Sequence, residues 1–202
     1  DLPAGIHTLY VQAVNIEGEA DLPAQYVFGI PGGPTEISGI VSTNTTFEIS
    51  NSPYIATGNL VVDIGFQLTL EPGVEILFSS GFSMQVEGTL VARGTESLSI
   101  IFSSVATTPT AGDWGFIKFS DSSVDTIFDG DGNYTGGSIL QYCQISYAGG
   151  GAAPTYNNGL SYGQQSSNAA IQVDNASPFI DHCQISYNQG AGIYALSPVN
   201  LR

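Results

Sequence analysis

The chain has 202 residues, 42% of them hydrophobic, with 18 acidic and three basic side chains and a formal net charge of −15 at pH 7. That much apolar material excludes a disordered chain. A surface so poor in Lys and Arg excludes binding to nucleic acid, anionic lipid or acidic polysaccharide, which relies on basic groups releasing counterions, and leaves cations, neutral glycans and other proteins as partners.

The 25 Gly and 10 Pro fall in short clusters between apolar runs, the pattern of a chain with many turns and little helix. No stretch has the roughly eighteen apolar residues of a membrane span, and no basic-then-apolar signal segment leads the chain. The first residue is Asp1, which reads as the start of a mature or trimmed piece of a secreted protein.

Residues 1–30 open with the alternating run from Leu2 to Val14, turn at Asn15-Ile16-Glu17-Gly18-Glu19 and return through Gln25-Tyr26-Val27-Phe28-Gly29-Ile30. This period-two pattern predicts a β-hairpin. A linker, 31–37, contains Pro31-Gly32-Gly33-Pro34. Short strands are then expected around Phe47-Glu48-Ile49, Leu60-Val61-Val62, Leu68-Thr69-Leu70, Val74 to Phe78, Met84-Gln85-Val86, Ile100-Ile101-Phe102 and Phe116 to Phe119, with no helix between them. Two excursions rich in Gly, Ser, Asn and Asp, 120–137 and 149–168, interrupt the series.

The chain also echoes itself. Cys143-Gln144-Ile145-Ser146-Tyr147 returns forty positions later as Cys183-Gln184-Ile185-Ser186-Tyr187, and Ala170-Ile171-Gln172 returns twenty-two positions later as Gly192-Ile193-Tyr194. Ser177-Pro178 recurs at Ser197-Pro198, and Gly65 to Glu71 is echoed sixteen positions on by Gly81 to Glu87. Repeats of about twenty residues made of short β-runs are the mark of a stacked solenoid whose rungs vary in length. The end of the chain, Ala195 to Arg202, stops in mid-rung and leaves an open strand edge.

Leu68-Thr69-Leu70-Glu71-Pro72-Gly73-Val74, Gly88 to Thr95, Gly112-Asp113-Trp114-Gly115 and the Cys-Gln-Ile-Ser segments resemble the right-handed parallel β-helix domains of bacterial surface proteins, similar in fold to pectin lyases. This resemblance spans residues 38–202 and implies an all-β fold, a right-handed parallel β-helix preceded by a β-hairpin. Residues 1–30 resemble the last two strands of an immunoglobulin-like or fibronectin type III-like module.

Several residues carry candidate chemistry. Asp129, Asp131 and Asn133 place oxygen ligands at alternate positions, as a calcium loop begins, and Asp121 and Asp125 could add to them. The twelfth position is Leu140 instead of a bidentate Glu, so the alternative is a solvated Asp/Asn/Gly turn. Trp114, Tyr134, Tyr156 and Tyr162, with Tyr147, are candidates for contact with neutral glycan or protein; for Trp114 the alternative is packing at a rung corner. Cys143 and Cys183 share a register position beside an inward Ile, which allows either stacked buried thiols or a disulfide. Asn44, Asn133 and Asn175 begin glycosylation-acceptor triplets.

Enzymatic chemistry finds little footing. Lyase elimination on an acidic sugar needs clustered basic residues, and the chain has only Arg93, Lys118 and Arg202. Glycoside hydrolysis needs two carboxylates across one bond, for which Asp129 with Asp131 and Asp174 with Asp181 are the available pairs, both at ordinary turn positions. The expectation is a non-enzymatic extracellular or cell-surface protein, structural or adhesive. It would self-associate into a filament or lattice, or bind other surface proteins, through the hairpin and the open end. A carbohydrate-active module is the alternative.

Overall fold

The computed structural model describes residues 2–11, 24–30, 32–151, 155–157, 160–162 and 167–196. These residues build an all-β molecule around a large, parallel, strongly curled sheet.

The pairing resolves into three parallel ladders. Ladder I stacks Thr45–Phe47, Gln67–Leu70, Thr89–Arg93, Ile139–Gln141 and Phe179–Asp181. Ladder II stacks residues 54–56 on Glu75–Phe78, Ile100–Ser104, Cys143–Ser146 and Gln184–Ser186. Ladder III stacks residues 60–62 on Met84–Val86, Ile117–Phe119, Ile171–Asp174 and Ile193–Leu196. The chain visits ladders I, II and III in that order and then returns to I one strand higher. Strand Tyr54–Val62 belongs to both II and III, and Thr35–Val41 pairs along it, so the parallel sheet begins inside the segment expected to be a linker.

Period-two alternation decides which side chains enter the space between the ladders. Identical register then lines them up in columns. Phe47, Leu70, Ala92, Leu140 and Ile180 form one column in ladder I. Tyr54, Ile76, Phe102, Ile145 and Ile185 form another in ladder II, and Leu60, Met84, Ile117, Ile171 and Ile193 a third in ladder III. The middle members are fully buried, whereas Ile193 in the last strand is 36% exposed.

The echoes fall into place unequally. Gln144 pairs with Gln184 and Ile171 with Ile193, so the forty- and twenty-two-residue echoes are stacked neighbours. The sixteen-residue echo is not a rung: Leu68 lies in ladder I and Met84 in ladder III. What repeats there is a local turn, with Gly65 at φ +82° and Gly81 at φ +81°, a left-handed conformation that glycine adopts without strain. Ser197-Pro198 lies outside the described residues.

At the other end, Gly5–Val11 pairs antiparallel with Ala24–Ile30, the expected hairpin. It neighbours the short 3₁₀ turn Ile49–Asn51, but Ile6, Leu9, Tyr10 and Val11 remain exposed.

Truncation inside a column should cost far more than truncation at its end. Phe102→Ala is expected to lower unfolding free energy by about 3–5 kcal/mol, the usual loss for a buried aromatic ring. Ile193→Ala should cost less than about 1.5 kcal/mol because its side chain is already partly in water. Urea denaturation of the two variants measures both.

Candidate functional site

Ladders I and III, with the excursions beside them, bring polar side chains of distant segments together. In ladder I the outward column of Thr69, Val91, Ile139 and Phe179 is apolar at its upper end, and Ile139 is fully buried. Excursion 120–137 lies alongside: its strand Ile127–Phe128 pairs antiparallel with Tyr134–Gly136, and the Phe128 ring meets Phe179 edge-on at 5.1 Å.

The turn of this small hairpin contains the calcium candidates. One Asp129 oxygen, Oδ1, accepts the backbone N–H of Asp131 at 3.0 Å and of Asn133 at 2.8 Å. The Asn133 amide nitrogen donates to both Asp129 oxygens, at 3.3 and 3.1 Å. These donors, Asn133's side chain foremost, hold the Asp129 carboxyl below the usual range. The group closes as an Asx turn in which both Asp129 oxygens accept hydrogen bonds. No cluster of three His, Cys, Asp or Glu suited to a metal ion occurs among the described residues.

Tyr134 donates its hydroxyl to the Gly137 carbonyl at 2.6 Å, and the Arg93 guanidinium stands 5.1 Å from its ring centre. Burial holds the phenol above its usual range although the neighbouring arginine pulls it down. Arg93 Nε donates to Gln141 at 3.2 Å, and Gln141 donates onward to Asp181 at 2.8 Å. These three residues are register partners, so ladder I carries a polar column of alternating charge and amide. Between the excursion and the next corner lies a cleft of about 410 Å³ lined by Asp125, Thr126, Phe128, Asp129, Ser177 and Phe179.

On the side away from its apolar column, ladder III aligns Gln85, Lys118, Gln172 and Tyr194, with Gln85 and Gln172 buried. Lys118 is ion-paired with Asp174 at 2.7 Å, their side chains only 12% and 22% exposed. Glu87 accepts hydrogen bonds from Gln85, Ser120 and Ser122. Sequence inspection did not single out this set, because the spacing of Gln85, Lys118 and Gln172 is broken by the insertions; alternation within each strand was the available signal.

Trp114 is not a contact surface. It is fully buried, stacked on Phe78 at 4.2 Å, with Nε1–H donated to the Ser146 carbonyl at 2.8 Å. Asp113 braces its segment by accepting from the Thr110 hydroxyl at 2.5 Å, the Thr110 N–H at 3.0 Å and the Ser104 hydroxyl at 3.0 Å. Tyr156 and Tyr162 lie on the paired strands Thr155–Asn157 and Leu160–Tyr162 of excursion 149–168, and their side chains fall outside the described residues. Tyr147 stacks on Tyr187 at 5.8 Å. Asp174 and Asp181 lie in different ladders, III and I, Asp174 paired with Lys118 and Asp181 with Gln141 and His182.

Comparisons with known protein families, with curated proteins and with solved structures give no match.

Asp113 provides a pH test. Hydrogen bonds from Thr110 hold its carboxyl below the usual range. A group whose pKa is lower folded than unfolded adds stability above its unfolded pKa, near 3.9, and loses it as pH falls through the folded value. Asp113→Asn is therefore expected to flatten the loss of stability below about pH 4 relative to the unmodified chain, with little change in slope above pH 6. Urea midpoints from pH 7 to 2 measure the difference. For the Asp129 turn, calcium binding would raise the melting temperature in millimolar Ca²⁺ above that in chelator, because a ligand of the folded state stabilises it, and equal values would leave the Asx turn alone.

Proposed function

We propose that this chain is a non-enzymatic structural or adhesive protein of the cell exterior, with its three ladders forming the faces of a right-handed parallel β-helix like those of bacterial surface proteins. It associates with further copies of itself. The observation that carries the reading is the pair of unlike apolar surfaces at opposite ends of the parallel stack. Ile6, Leu9, Tyr10 and Val11 are 45–64% exposed on the hairpin, and Ile193 and Leu196 are 36% and 41% exposed on the last strand of ladder III.

Two-stranded hairpins are marginal in water until one face is covered. A contact between two unlike surfaces is heterologous and, unless it closes into a ring, continues as a filament. The carboxylates that hydrolysis would need are instead committed to neighbouring donors: Asp129 to Asn133, Asp174 to Lys118 and Asp181 to Gln141. The acidic balance of 18 carboxylates to three basic groups fits protein or neutral partners and opposes nucleic acid. Among the described residues no helix is long and apolar enough to cross a membrane.

A second reading, binding of neutral glycan, draws on the cleft beside Phe128 and Phe179, which combines aromatic edges with Asp125 and Asp129. Glycan-array binding abolished by Phe179→Ala would favour it over the structural reading.

Sedimentation velocity over a wide concentration range tests self-association. The full chain is expected to sediment as oligomers whose size grows with concentration, and a chain lacking residues 1–30 as a folded monomer. A full chain that remains monomeric at high concentration overturns the proposal.

A further inference from the structure

Two thiols meet at the corner between ladders I and II. Gln144 is in register with Gln184, which puts Cys143 directly beneath Cys183 on the next strand. Both occupy the inward column that continues from Ile100, in register with Cys143. Adjacent parallel strands lie about 4.8 Å apart, inside the Cα separation of roughly 4.4–6.8 Å that a disulfide spans. The two niches are the same one repeated. The Cys143 thiol faces the Ala92 and Gln141 carbonyls, both at 3.5 Å, and the Cys183 thiol faces those of Leu140 and Asp181, at 3.4 and 3.3 Å. Both side chains thus point to the same side of their ladder, as a cross-link between neighbouring strands requires.

Their access to solvent differs. Cys143 is 1% exposed, while Cys183 is half-buried in the last strand of ladder II. A hydrogen bond from Cys143 lowers the pKa of Cys183, and the contact with Cys183, together with burial, pushes that of Cys143 up. The outer thiol is both the reachable one and the better nucleophile.

We infer that Cys143 and Cys183 close into a disulfide that ties the last two strands of ladder II together, with a small external disulfide as the oxidant. The Cys183 thiolate attacks one sulfur of that disulfide and releases one external thiol, leaving a mixed disulfide on Cys183. Cys143 then gives up its proton, attacks the Cys183 sulfur and releases the second external thiol. Two protein thiols lose their hydrogens and two external thiols gain them, so electrons and protons balance. The bond joins positions forty residues apart and encloses excursion 149–168. It limits the freedom of the unfolded chain and holds the half-exposed end of the stack closed.

The test treats the folded full chain with oxidised glutathione, then counts thiols in denaturant and measures intact mass. The expected product has no free thiol, a mass lower by two hydrogens and a melting temperature higher by about 5 °C or more. Persistence of both thiols, a lasting glutathione adduct on Cys183, or an unchanged melting temperature overturns the inference. Cys143→Ser should instead accumulate the adduct on Cys183. If that variant does not fold, Cys183→Ser serves in its place, and is expected to remain unmodified because Cys143 is out of reach. Modification of Cys143 in that variant would overturn the order of attack.

Discussion

The structure depends on register. Each inward side chain of one strand sits on its counterpart in the strand before, and a slip of one residue would exchange the whole inward set for the outward one. The column Ile76, Phe102, Ile145 shows what this secures: three large side chains in contact across strands that are widely separated in sequence, each fully buried. Because the strands run parallel and unbroken through three ladders, one error would propagate through all of them. Such strictness explains why the corners tolerate backbone strain. Tyr142 and His182 both have φ +49°, and Tyr147 and Tyr187 have φ +64° and +57°. Left-handed conformations cost a residue with a side chain about 1–2 kcal/mol each. Stacking of Tyr142 on His182 at 4.8 Å offsets part of that cost and extends the register to the outside of the turn.

Insertions are confined by the same constraint. A chain can leave the stack only between strands, and it must return in register. Excursion 120–137 departs after Phe119 and re-enters at Ile139, whose partners remain Val91 and Phe179. While away, it uses Phe128 to cover the apolar outward positions of ladder I. The polar outward columns arise likewise: Lys118 and Asp174 belong to successive strands of ladder III and meet only because those strands stack.

The last described strand of each ladder is less covered than the one before it. Ile180 and Ile185 are partly buried and Ile193 is more exposed, whereas their counterparts one strand earlier are sealed. The hairpin has a different deficit, with apolar side chains and little beneath them. Surfaces of these two kinds give the proposed assembly its physical basis, and the thiol pair lies at the half-exposed end.

Much of the fold was legible in the sequence because it is encoded locally. Alternation over four or five residues is enough to assign Leu68–Leu70, Met84–Val86 and Ile100–Phe102 as strands, and the repeats of Cys143-Gln144-Ile145-Ser146 and of Ile171-Gln172 name their own stacking partners. The hairpin follows from the same alternation. Ladder membership does not, since similar turns such as those at Gly65 and Gly81 serve different ladders, and the sixteen-residue echo therefore misleads. The Asp129 carboxylate, which alternation of oxygen ligands offers to a cation, also accepts hydrogen bonds from Asn133 that only the folded turn defines. Trp114 is placed by Phe78, thirty-six residues earlier, and by the Ser146 carbonyl, thirty-two residues later. Short-range pattern determines what each strand is; which strands touch, and so which polar groups meet, depends on how many residues each insertion adds before the chain returns to the stack.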